Sequence, residues 1–141
     1  MKKIIAATLA AGLFASFGVY AAPTEVQLAD GYNAIDTVGD DINLARQFTI
    51  LAIGNRAGVI KNDFDATLSA NVIASLVDDA TDNRIGVVAG SNKGYTVFTG
   101  SSVGGSVSQC GDPVKKGTSG LATTLVTSDT LDLDEANGCG R

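Results

Sequence analysis

Histidine and tryptophan are absent from this 141-residue chain, methionine occurs only at position 1, and there are two prolines and two cysteines. Each scarcity excludes something. Without histidine there is no Ser-His-Asp or Cys-His arrangement and no histidine-based zinc site. The side chain that titrates most readily near neutral pH is also missing. A Ser-Lys dyad is formally left, but no serine sits in a nucleophile motif. Basic residues are few: ten Lys and Arg face fifteen Asp and Glu, and Lys115-Lys116 is the one basic pair beyond Lys3. An acidic chain without a Lys/Arg cluster argues against nucleic acid and against anionic membrane surfaces as partners.

What is present begins with an address. Met1-Lys2-Lys3 precedes an apolar or small run from Ile4 to Ala22. Two lysines ahead of such a run form the basic start of a secretory signal, and Val19-Tyr20-Ala21 supplies the residues a signal peptidase inspects. The expected cut falls between Ala21 and Ala22, with Pro23 breaking continuity just beyond. The rival is a retained anchor, since a spanning helix needs about 20 apolar residues. The richness in Ala and Gly favours cleavage. Residues 1–21 are thus read as a signal peptide and 22–141 as one domain, too short for two cores. Removing Lys2 and Lys3 leaves eight basic residues against fifteen acidic, a net charge of about −7.

Cys110 and Cys139 are the only cysteines. In an exported chain an even count favours a bridge, here closing a loop of about 30 residues and contributing roughly 3–4 kcal/mol in the chain-entropy model. The alternative, a metal pair, has no histidine to complete it.

Apolar residues then recur at Leu28, Tyr32, Ile35, Val38, Ile42, Ala45, Phe48 and Ala52. Steps of three and four predict one long amphipathic helix over 24–53 with a continuous stripe, open to a break at Gly39 and stopped by Gly54-Asn55. A shorter helix is predicted over 66–80, with Leu68, Val72, Ile73, Leu76 and Val77 on one face and Asp65 as its N-cap. Beyond Arg84 the texture turns to strand. Ile85–Val88 and Tyr95–Thr99 flank Ser91-Asn92-Lys93-Gly94, a hairpin signal. Further strands are expected over 102–108, 121–126 and 131–134. The expected class is α+β: a long N-terminal helix and a short one packed on an antiparallel sheet, with a C-terminal disulfide loop.

The acids and glycines carry the remaining candidate motifs for chemistry. Asp40-Asp41 and Asp78-Asp79 read as solvated pairs, since neighbours on a helix diverge by about 100°. Asp132-x-Asp134 with Asn137-Gly138 approaches a calcium-loop pattern, but its glycine comes one residue late; Asp63-x-Asp65 is thinner still. Gly100 to Gly105 lacks phosphate-loop spacing. No catalytic residue, cofactor or metal ligand is assigned.

The order of parts resembles a type IV pilin: an apolar stretch (Ile4–Ala22), a proline (Pro23), an amphipathic segment (24–53), a connecting region (54–84), an antiparallel sheet (85–108) and a disulfide loop (Cys110–Cys139). The family's precursors are cut after a glycine and carry a glutamate five residues on. Taking Gly12 as that glycine places Phe17 there, and no acid precedes Glu25. The assembly glutamate therefore has no counterpart. The resemblance implies a structural or adhesive surface subunit, its Leu28–Phe48 stripe packed on neighbours. The other reading is a soluble periplasmic or secreted binding module (an inhibitor, toxin partner or colonisation factor), its stripe a core. Both are non-enzymatic, with the partner either a second copy or another surface or periplasmic protein. Membrane contact is expected only through an uncleaved N-terminus, and the location is cell surface, extracellular or periplasmic.

Overall fold

The computed structural model describes residues 23–35, 42–55 and 58–139. The signal segment with its Ala21/Ala22 cut, Val38 and the Asp40-Asp41 pair lie outside them. Eight strands form two sheets: β1 (Thr24–Gln27), β2 (Gly31–Ala34), β3 (Arg46–Leu51), β4 (Phe64–Leu68), β5 (Val72–Asp79), β6 (Arg84–Ser91), β7 (Val97–Ser101) and β8 (Ser108–Cys110). The smaller sheet has the order β1-β3-β4, with β1 parallel to β3. The larger is antiparallel throughout, in the order β2-β5-β6-β7-β8.

The expected α+β class is overturned. Where a long helix was predicted over 24–53, the chain makes β1, β2 and β3. Gly31 enters β2 at φ 88°, a backbone setting outside any right-handed helix. Leu28, Ile35 and Phe48 are buried together, but from three separate elements: the crossing between the sheets, the end of β2, and β3. Tyr32 pairs with Val77 on the opposite face of the larger sheet and is 42% exposed. Ile42 lies in a turn, half-buried, its carbonyl accepting from Asn71 N at 2.6 Å. Within β3 the true period is two: Phe48 and Ile50 point inward and Gln47 outward.

The short helix predicted over 66–80 is also a strand pair, β4 turning through Asn71 (φ 65°) into β5. Asp65 does not cap a helix; its Oδ1 accepts from Thr49 Oγ1 at 2.7 Å across the β3–β4 pair. β5 misleads because it is covered on both faces, so Val72–Val77 runs apolar almost without interruption, a pattern open to either period. The hairpin expected around Ser91–Gly94 is present as β6–β7, with Gly90 opposite Val97. The strand expected over 102–108 is mostly turn, joining β8 only at Ser108. Leu121–Leu125 is a 3-10 turn rather than a strand, and 131–134 is irregular.

Three layers result. Ala74 and Leu76 of β5 face the smaller sheet and meet Leu28, Ile35, Phe48 and Ile50 in an inner core, with Ile85 and Ala89 at its border. On the opposite face Val88 and Val97 meet Ala122 and Val126, bordered by Ile73, Leu125 and Leu131. That third layer is the irregular C-terminal segment, laid across the sheet.

Candidate functional site

The C-terminal segment reverses after β8 and returns across the sheet, ending where Cys139 bonds to Cys110, with Cα atoms 6.2 Å apart. Cys110 is fully buried, opposite Val97 on the sheet, and Cys139 is half-buried. Thr99, on the same face, places its Oγ1 2.6 Å from the Cys110 sulfur and 3.6 Å from that of Cys139. Both sequence-predicted disulfide residues are thus brought together.

Close seating of this segment depends on glycine. A Cβ on Gly90 would lie 2.9 Å from the Ala122 carbonyl oxygen, and one on Gly86 would lie 2.5 Å from Leu133 Cδ2. Both glycines project from the face that carries Val88, so the floor is flat where the segment crosses it. Backbone bonds fasten the segment at Val114 N to Tyr95 O (2.7 Å), Ala122 N to Gly94 O (2.9 Å) and Asn137 N to Gly104 O (2.8 Å). Tyr32 adds its hydroxyl, donating to Val126 O at 3.2 Å. Beneath lies Ser75, fully buried, its hydroxyl without a hydrogen-bond partner among the described residues.

At one rim of the sheet an open cleft of about 530 Å³ gathers Asp30, Asp78, Asp79, Asp82, Asp129, Asp132 and Asp134. Much of this charge is spent on turns. Asp30 Oδ1 accepts from Ala80 N (2.8 Å), Asp79 Oδ1 from Thr81 N (2.8 Å) and Asp82 N (3.1 Å), and Asp132 Oδ1 from Asp134 N (2.9 Å). Arg84 Nη1 donates to Leu133 O at 3.0 Å and to Asp134 Oδ1 at 2.5 Å. The hydrogen bond to Asp134, with the charges of Asp82, Asp134 and Asp79 around it, holds this guanidinium above its ordinary pKa against the opposing pull of desolvation. Among the described residues no group of three or more His, Cys, Asp or Glu is disposed to hold a metal ion.

The other sequence motifs fall into structural places. Asp63 Oδ1 accepts from Ala52 N at 2.8 Å, closing the β3–β4 loop. Asp78 and Asp79 sit on opposite faces of a strand, Asp78 buried and Asp79 at the turn. Lys115-Lys116 is an exposed turn, with Thr118 N donating to Lys115 O. Gly104 receives the Asn137 bond that seats the end of the C-terminal segment.

Two features had no sequence expectation. The first is the acidic cleft, assembled from three segments far apart in the chain: 30–31, 77–82 and 129–134. The second is an exposed apolar shoulder on the inner-core face, where Val87 and Phe98 project beyond the border residues Ile85 and Ala89. Val107 packs against Gly100 beside them and is 73% exposed. Alternation through Val97-Phe98-Thr99 signals that Phe98 leaves the face its neighbours occupy. No helix of the described residues is long and apolar enough to cross a membrane. Comparison with protein-family models, curated proteins and solved structures finds no match.

Proposed function

We propose that this chain is an exported, non-enzymatic structural or adhesive subunit of a cell surface, acting through its faces rather than through a reacting centre. The observation that carries the export reading is the Cys110–Cys139 bridge, which pins an irregular segment to the sheet. Such bonds persist in oxidising compartments outside the cytosol. The basic-then-apolar start of the chain points the same way. The non-enzymatic part is supported by the absence of histidine and by the use of the acids. Asp30, Asp63, Asp65, Asp79 and Asp132 each accept a hydrogen bond that shapes a turn or a strand pair. The helix stripe that the pilin-like order of parts would use for assembly is not available, since Tyr32 and Phe48 belong to separate β-strands, Ile42 to a turn, and Leu28, Ile35 and Phe48 are buried in the inner core. Among the described residues, self-association would use a sheet face or edge.

The test uses the exported full-length product. Intact mass should start the chain at Ala22 and show no alkylatable thiol under denaturing conditions. Electron microscopy and light scattering then separate the surface subunit, as filaments or higher oligomers, from a soluble binding module, as a monodisperse species of about 12 kDa. A retained Met1–Ala21 segment would make the N-terminus a membrane anchor, and two free thiols would remove the bridge on which the export reading rests. A turnover abolished by one Asp, Lys or Ser substitution would remove the non-enzymatic one.

A further inference from the structure

We propose that residues 111–139 form a detachable strap, and that the Cys110–Cys139 bond is the latch deciding whether the Ile73–Val88–Val97 face of the larger sheet is covered. The proposal rests on the bridge and the two cores, and stands whether or not the protein is a surface subunit. Among the described residues, the inner core and its border take none beyond Ala89. The ladder from β2 through β5 and β6 to β7 is complete without the strap. The strap contributes no strand to either sheet; its ordered parts are 3-10 turns at Leu121–Leu125, Ser128–Thr130 and Ala136–Gly138. It is held by a few apolar plugs, chiefly Ala122 and Val126, and by scattered hydrogen bonds. Such a segment, tied at one end, has little beyond these contacts to offset the freedom it regains on leaving. Tied at both ends, its docking becomes a local event at high effective concentration.

Opening the latch is a two-electron exchange with a dithiol. Cys110 is fully buried and Cys139 half-buried, so the attacking thiolate reaches the Cys139 sulfur, forms a mixed disulfide there and expels Cys110 as its thiolate, which takes a proton. The second thiol of the reductant, as thiolate, attacks the reductant's own sulfur in that mixed disulfide and releases Cys139, which is protonated in turn. One dithiol is oxidised to a disulfide, and the protein gains two thiols.

The experiment is hydrogen exchange read by mass spectrometry on the full chain, oxidised and after treatment with dithiothreitol, beside the bridged variant Gly90→Val. The variant raises the floor against Val97 Cγ1 and the Ala122 carbonyl while leaving both sulfurs in place. Reduction should raise exchange about a hundredfold in residues 112–139. The variant should do so chiefly around 118–126. In both, the amides of β3, β4 and β5 should keep their protection. Loss of protection in β3–β5 in either arm would show a single cooperative unit and overturn the proposal. Unchanged exchange in the strap after reduction would overturn it equally.

Discussion

The two faces of the five-stranded sheet are covered in different ways. The inner face meets a second sheet, side chain against side chain, with Phe48 and Ile50 opposite Ala74 and Leu76. The outer face meets a coil whose backbone lies down on glycine, held by small plugs and a covalent bond. A core built from alternating β-strands is redundant, because each strand is held by its ladder as well as by packing. A core built from a strap is conditional: remove the tether or raise the floor, and little else holds it.

Breaking the inner face should have the largest effect. Ile50→Asp places a charge at a fully buried position among apolar neighbours. The cost, about 4–5 kcal/mol or more, takes most of the stability of a domain this size. Loss of the cooperative thermal transition and of strand circular dichroism is expected. If a sharp melt survives, the sandwich described above is wrong at its centre.

On the outer face, paired replacement of Cys110 and Cys139 by Ser should weaken the docking of the strap by roughly 3–4 kcal/mol, given a loop of 29 residues. Urea titration should show this as an early step of the strap, ahead of a main transition that keeps its midpoint. A change under 1 kcal/mol would mean that the strap seats itself without help. Gly90→Ala should cost less, about 1–3 kcal/mol, through the close approach of Val97 Cγ1 and of the Ala122 carbonyl. A neutral result would show that the strap floats above the sheet rather than resting on it.

The smallest expected effect has the opposite sign. Ser75→Ala removes a buried hydroxyl that has no partner among the described residues and leaves nothing new unsatisfied. It should be neutral or stabilising by up to about 1 kcal/mol, read as a small rise in Tm. A clear destabilisation would reveal a bound water, or a partner beyond the described residues.

The same contrast governs what could be read from the sequence. The disulfide and the β6–β7 hairpin were legible because each is announced locally, by two lone cysteines and by Ser91-Asn92-Lys93-Gly94 between β-rich runs. The inner core is legible as a set of apolar residues, but their spacing points to the wrong period. Leu28, Ile35 and Phe48 fall at helical intervals by the accident of where the turns lie, while the alternation inside Gln47–Ile50 is only four residues long. β5 carried no decisive period, being buried on both faces. Leu121–Leu125 has the β-branched threonines of a strand, yet no sheet edge is offered to it where it crosses Gly90. The acidic cleft joins Asp30 to Asp134, and only the completed topology brings them to one rim.

The bridge also has a mechanical consequence. Tension applied beyond Cys139 does not peel the strap away; it passes through the sulfur bond into β8 and from there into the antiparallel ladder. The 29-residue span is bypassed, which withholds about 100 Å of contour length from a stretched chain at roughly 3.5 Å per residue. In a reducing buffer that length returns, and the same pull should draw out the strap at low force before any strand gives way.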